Sequence, residues 1–299
     1  MSRWKRYGGC SISKLPVRRK MHTVADRLYA LFMSGALVGY LVVALIYIAE
    51  IGFRRNSLIV LRQALLGVVV LLHFMAMLLF STTTGGPLFT GIDGAALLFA
   101  WILALGLLLF EKRLSLGALG AFVVFVIFMV TLYAYGCPRA ASNRFPGLES
   151  LWLKSHVPIL LLGFVCFTLS ACAAIMYLLK EHSLKHKRFT AMSRRLPSLP
   201  TSDAIVYYLS AAGLSLLTIG IMSGMIGQHS LEAAYNPLHD GKVIFSLILW
   251  CLYLGYFLSR RLLGWRGRRG NLVNVFNFFI MLLTFFTQHG LPESLQNKM

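Results

Sequence analysis

Eight apolar runs separated by short polar segments organise this chain. They are Leu28 to Ala49, Leu58 to Phe80, Ala95 to Phe110, Leu116 to Tyr135, Val157 to Leu179, Ala204 to Ile226, Val243 to Leu258 and Leu272 to Thr287. A hydrocarbon core of about 30 Å is crossed by roughly 20 apolar residues in a helix. The third, seventh and eighth runs are the shortest, so a seven-span count also fits. With no water in the core, each spanning backbone must satisfy its own hydrogen bonds. The runs therefore predict helices, and no alternating ten-residue strand pattern competes with them. The expected fold is an all-α, polytopic membrane helix bundle of about eight transmembrane helices. Its divisions are a basic tail at 1–27, a transmembrane domain at 28–289 and a short C-terminal tail at 290–299. The longest polar stretches, the tail, Gly136 to Ser155 and Lys180 to Asp203, are each too short for a core of their own.

Composition agrees: 58% of residues are hydrophobic and 13% charged, where a soluble domain carries about 25% charged residues. Lys and Arg then set the orientation. The loops after spans one, three, five and seven hold fifteen of them, beginning with Arg54 and Arg55 and ending with the run from Arg260 to Arg269. The opposite loops hold five: Arg139, Arg144, Lys154, Lys242 and Lys298. The first side is read as cytoplasmic. The tail before span one, with eight basic residues, opposes this scheme. A start at Met21 would remove seven of them. The tail leads into a full-length span without a small-residue cleavage site, so it does not read as a secretory signal. The net charge of +19 is mostly chemistry of the cytoplasmic face, suited to anionic lipid headgroups rather than nucleic acid.

Five cysteines give little. Cys166, Cys172 and Cys251 lie within spans and read as packing residues, while Cys10 is in the tail and Cys137 on the outer side. There is no Cys-x-x-Cys and no Cys-x-x-Cys-His, so neither a thioredoxin-like centre nor a covalently held haem is expected in the chain itself.

Histidines carry the candidate chemistry. In this topology His156, at the entrance of span five, His239, in the loop before span seven, and His289, at the exit of span eight, all face outward. Imidazole is a common ligand for metals and haem. The alternative is that each is an interfacial histidine bonded to headgroups or water. His73 lies within span two, about seven residues or roughly 10 Å from its outer end. An intramembrane ionisable group is a functional candidate; its plain reading is a neutral ring bonded to a neighbouring helix. His182 and His186, four apart, could chelate a metal, but in a segment rich in Lys and Arg they read as a solvated face. Gly220 and Gly224 have small-x-x-x-small spacing for close helix approach, and Asn271, Asn274 and Asn277 form a polar stripe suited to joining helices.

Several of these residues together resemble a known family. Trp152 to Val157, followed by a span ending in Tyr177-Leu178-Leu179, is similar to the histidine-bearing helix of the cytochrome c assembly membrane proteins, the CcsA- and CcmC-type haem-handling family. The stretch from Ser223 to Trp250 falls where that family carries a tryptophan-rich loop ending in Trp-Asp-Pro-Lys. Asp240 and Lys242 match; His239 and Gly241 stand at the Trp and Pro positions. Gly264 to Arg269 resembles the basic turn before the last helix, and Thr83 to Leu88 the outer turn after span two. The likeness runs from about Arg27 onward and is nearest to the HemX-like branch, whose short members lack the full loop.

The resemblance implies haem b held at the outer face with its iron between His156 and His289, and His73 as a ligand on the way through the membrane. His239 would substitute in the loop with Asp240, and Lys242 or Arg144 would pair with propionates. The turn Ser81 to Ile92 and the loop Gly227 to Lys242 would cover the porphyrin. The protein would sit in the bacterial inner membrane and present haem to an apocytochrome c alongside other cytochrome c assembly proteins. No nucleophile or general base is evident, so at most it is a subunit of a haem-attachment system, with the chemistry belonging to cofactor and client. The alternative is a HemX-like scaffold or regulator acting on haem-biosynthetic enzymes without haem transfer, which the missing tryptophans favour.

Overall fold

The structure, a computed structural model, describes residues 24–53, 58–84, 92–114, 117–136, 151–187, 196–228 and 241–286. Each apolar run is a helix: α1 Val24–Phe53, α2 Leu58–Thr84, α3 Ile92–Leu114, α4 Gly117–Gly136, α5 Leu151–Lys185, α6 Leu199–Gln228, α7 Gly241–Leu262 and α8 Arg268–Phe286. No strand occurs among the described residues. Six of the helices are long and apolar enough to cross a membrane, whereas the apolar part of α3, Asp93–Leu109, is shorter. α8 has 19 residues and begins with two arginines. Most of the 1–27 tail, with Met21, and all of the 290–299 tail lie outside the described residues.

Most helices outrun the runs that predict them, because their polar ends continue the backbone ladder past the apolar segment. α5 extends from Leu151 to Lys185, about 50 Å at 1.5 Å per residue. Both sides of a typical span are apolar. α1 buries Tyr29, Met33, Ala36, Tyr40, Val43 and Tyr47, yet turns Leu31, Val38, Leu45 and Ile48 outward. Lipid tails are as apolar as a protein core, so nothing in the hydrophobic pattern separates the two faces.

The helices close into two four-membered rings. In the first, α1 packs on α2 and α4, and α3 on α2 and α4. In the second, α5 packs on α6 and α8, and α7 on α6 and α8. α5 also touches α3 and α4 and so joins the rings. It is correspondingly the most enclosed of the six long spans, 67% buried against 39% or less for the others. Small residues allow this: Gly163 lies against the backbone of α6 at Gly213, and Ser170 to Ala174 are all buried.

Polar side chains pin each ring internally. In the first, Arg62 pairs with Glu50 beneath the Tyr47 ring, its guanidinium 4.0 Å from the ring centroid. Gly120 leaves the space that Tyr47 fills. In the second, the Asn274 amide donates to Ser210 Oγ at 2.6 Å, and Ser170 Oγ lies 2.7 Å from the same hydroxyl. Arg260 holds both carboxylate oxygens of Asp203, at 3.0 and 2.8 Å, and Asn271 donates to Asp203 at 3.1 Å. Asn277 donates to the Leu252 carbonyl at 3.3 Å. The asparagine stripe is thus interhelical joinery, as its spacing suggests.

Candidate functional site

His156 stands in the second turn of α5, and α6 builds a seat for its ring. Nδ1 lies 2.7 Å from the carbonyl oxygen of Gly220 and 3.2 Å from Ser223 Oγ. A carbonyl only accepts, so Nδ1 carries the hydrogen; in the neutral tautomer that this contact selects, the lone pair falls on Nε2. Ser223 Oγ also donates to Gly220 O, at 2.8 Å. Gly224 completes the seat: a Cβ there would lie 2.6 Å from the imidazole Cε1 and 3.0 Å from Nδ1. The small-x-x-x-small pair therefore does more than let helices approach. One turn below, Gly220 receives Leu160; at Gly224 the helix surface receives the imidazole.

This arrangement suits an imidazole ligand. In ligating histidines the nitrogen away from the metal commonly donates to a carbonyl or carboxylate, which fixes tautomer and ring plane. Here the fixing partner is a main-chain carbonyl of a helix packed along most of α5, so it cannot rotate away. Among the described residues no three His, Cys, Asp or Glu side chains gather. Among the described residues the site offers the imidazole of His156, a donor type that serves as an axial ligand of haem.

His73 belongs to the other ring. It is fully buried, with Nδ1 3.0 Å from the Tyr40 hydroxyl and the two rings edge to face at 5.8 Å. Nε2 is buried with no partner among the described residues. α2 continues to Thr84, eleven residues beyond His73, which puts the ring about 16 Å from the helix end. The two histidines thus lie in different rings, His73 at the α1 and α2 seam and His156 at the α5 and α6 seam.

The other candidates are placed only by connectivity. His239, Asp240, His289 and Arg144 lie outside the described residues, and Lys242 is the second residue of α7. α7 starts directly after Asp240, and α8 ends three residues before His289. α8 packs along α5. His182 and His186 are exposed at the far end of α5 with ring centroids 4.1 Å apart, as a solvated face would have them.

Sequence reasoning found His156 and His73 but neither partner. Tyr40 is 33 positions from His73, and Gly220 is 64 from His156. The available signal was the cluster Gly220, Ser223, Gly224, three small residues on one helical face.

The family model described as Cytochrome C assembly protein matches residues 89–295. The chain is 25% identical over 271 residues to Protein HemX of Bacillus subtilis (strain 168), covering 90% of this chain and 98% of that relative. It is 24% identical over 303 residues to Cytochrome c biogenesis protein CcsA of Porphyra purpurea, covering 88% of this chain and 94% of the relative. To CcsA of Welwitschia mirabilis it is 32% identical over 162 residues, 47% of this chain and 53% of the relative.

Proposed function

Because this chain belongs to the cytochrome c assembly protein family, we propose that it binds haem b at the outer face of a bacterial inner membrane and presents it for attachment to an apocytochrome c. The observation that carries the reading is the seat of His156. A main-chain carbonyl holds the ring hydrogen on Nδ1, and a glycine surface backs the ring. His156 would ligate through Nε2. His289 would supply the second axial imidazole, since α8 runs beside α5 and ends three residues before it.

The remaining residues bind and shield. Lys242 and Arg144 are suited to the propionates as charge-assisted partners, with Asp240 and His239 in the same loop. The segments Ser81 to Ile92 and Gly227 to Lys242 would exclude water from the porphyrin. His73, deep in the first ring, would be an intramembrane ligand on the way to this site. Bound haem supplies the iron and vinyl chemistry, and the client's thiols complete it. The protein itself holds and orients, in company with other cytochrome c assembly proteins.

A second reading is a HemX-like scaffold that acts on haem-biosynthetic enzymes without transferring haem. Two observations favour it. The match to Protein HemX spans 98% of that relative, and no tryptophan stands between Gly227 and Leu249.

An optical spectrum separates the two. Protein purified from haem-replete cells should show a Soret band that survives washing and is lost in His156→Ala with His289→Ala. Well-folded wild-type protein without that band would shift the assignment to the scaffold.

A further inference from the structure

The turn between α7 and α8 is built as a fixed platform at the basic end of the bundle. The Ser259 carbonyl accepts from Leu263 N at 3.0 Å and Trp265 N at 3.2 Å, and Arg266 N donates to Gly264 O at 2.7 Å. Gly264 and Gly267 both have φ of 64°, a conformation glycine adopts without steric cost. The turn is also wedged from beneath. A Cβ on Gly267 would lie 2.9 Å from the Tyr177 hydroxyl, and one on Gly270 2.8 Å from the Trp265 carbonyl oxygen.

What this platform presents is amphiphilic. Leu262 is 74% exposed and Leu263 63%, with Trp265 exposed beside them. Arg261, Arg266, Arg268 and Arg269, in the same turn, are exposed as well. No acidic residue occurs between Arg260 and Phe286. Two carboxylates act on Tyr177 beneath this corner, and both are engaged: Asp203 by Arg260 and Asn271, and Glu181 by Lys185 at 2.8 Å. Four exposed arginines thus share one short turn with three exposed apolar side chains, and the turn itself holds no acidic residue.

We infer that residues 261–269 form a preformed docking site for anionic phospholipid. The phosphate lies among Arg261, Arg266, Arg268 and Arg269, and the glycerol and upper acyl chains lie against Leu262, Leu263 and Trp265. Net charge selects the headgroup: phosphatidylcholine balances its phosphate with its own ammonium, whereas an anionic lipid leaves a charge for the four arginines to neutralise. The exposed leucines select a lipid over a soluble polyanion, which would leave them in water. Tryptophan at a span's end is at home at headgroup depth, and juxtamembrane basic clusters attract acidic leaflets. Because the glycine turn is already formed, binding orders the arginine side chains but not the backbone that carries them. The site is independent of the haem reading.

The test is tryptophan quenching in the full-length protein reconstituted into phosphatidylcholine vesicles. Brominated phosphatidylglycerol and brominated phosphatidylcholine are compared at equal content, and a Trp265→Phe variant isolates the signal of Trp265. The expected result is severalfold stronger quenching of Trp265 by the brominated anionic lipid. That preference should vanish when all four arginines become Gln, persist when they become Lys, and survive Lys185→Gln with Lys187→Gln at the end of α5. If the fourfold Gln variant does not fold, Arg266→Gln and Arg269→Gln singly should each weaken the preference. Equal quenching by both lipids overturns the proposal. So does a preference that the single variants leave intact, or displacement of the anionic lipid by an oligonucleotide of matched charge.

Discussion

The ring of His156 rests on Gly224, with its Nδ1 hydrogen donated to the carbonyl of Gly220 at 2.7 Å. Position and tautomer are therefore set by the main chain of a neighbouring helix. An Ala at 224 would put a methyl 2.6 Å from the ring. Gly224→Ala should push the imidazole off its seat and lower haem retention by about 10- to 100-fold, the range seen when partners of metal ligands are lost. Gly255→Ala, where a Cβ meets nothing within 4 Å, should leave retention unchanged. Soret absorbance per protein checks both.

Tyr40 is the partner of His73 at 3.0 Å. Tyr40→Phe removes it and leaves a buried imidazole nitrogen without a hydrogen bond, a loss of about 1 to 3 kcal/mol. Thermal unfolding in detergent should show a lower Tm, and His73→Leu combined with Tyr40→Phe should recover part of it.

Asp203 and Arg260 form a two-pronged pair whose side chains are 18% and 10% exposed. Asp203→Ala strands a guanidinium that also contacts Tyr256 at 3.2 Å. A double-mutant cycle with Arg260→Ala should return a coupling of about 1 to 3 kcal/mol, with the double variant less harmful than the sum of the two single changes. Denaturation by a harsh detergent reads it.

Asn274 bonds to Ser210 at 2.6 Å and sits 3.3 Å from Ser170 Oγ. Intramembrane bonds of this kind average about 0.6 kcal/mol and reach about 1.7. Asn274→Leu should therefore cost little more than that. By contrast, Gly120→Ala, whose methyl would collide with the Tyr47 ring, should cost about 1 to 3 kcal/mol by overpacking. Comparing the two Tm values checks the order.

The sequence by itself determined that this chain is a bundle of helices, because a hydrocarbon core demands about 20 apolar residues and an internally bonded backbone wherever the chain crosses it. All eight runs became helices. It also singled out His73 and His156, since an imidazole within or at the edge of an apolar span stands out against its neighbours. Only the tertiary structure decided which faces meet. Lipid-facing and core-facing positions of α1 are equally apolar, so the hydrophobic pattern holds no record of the two rings or of α5 as their joint. The seat of His156 and the Tyr40 partner of His73 depend on residues 64 and 33 positions away. Such pairings arise from shape, a ring against a missing Cβ, and shape is settled only when two helices pack.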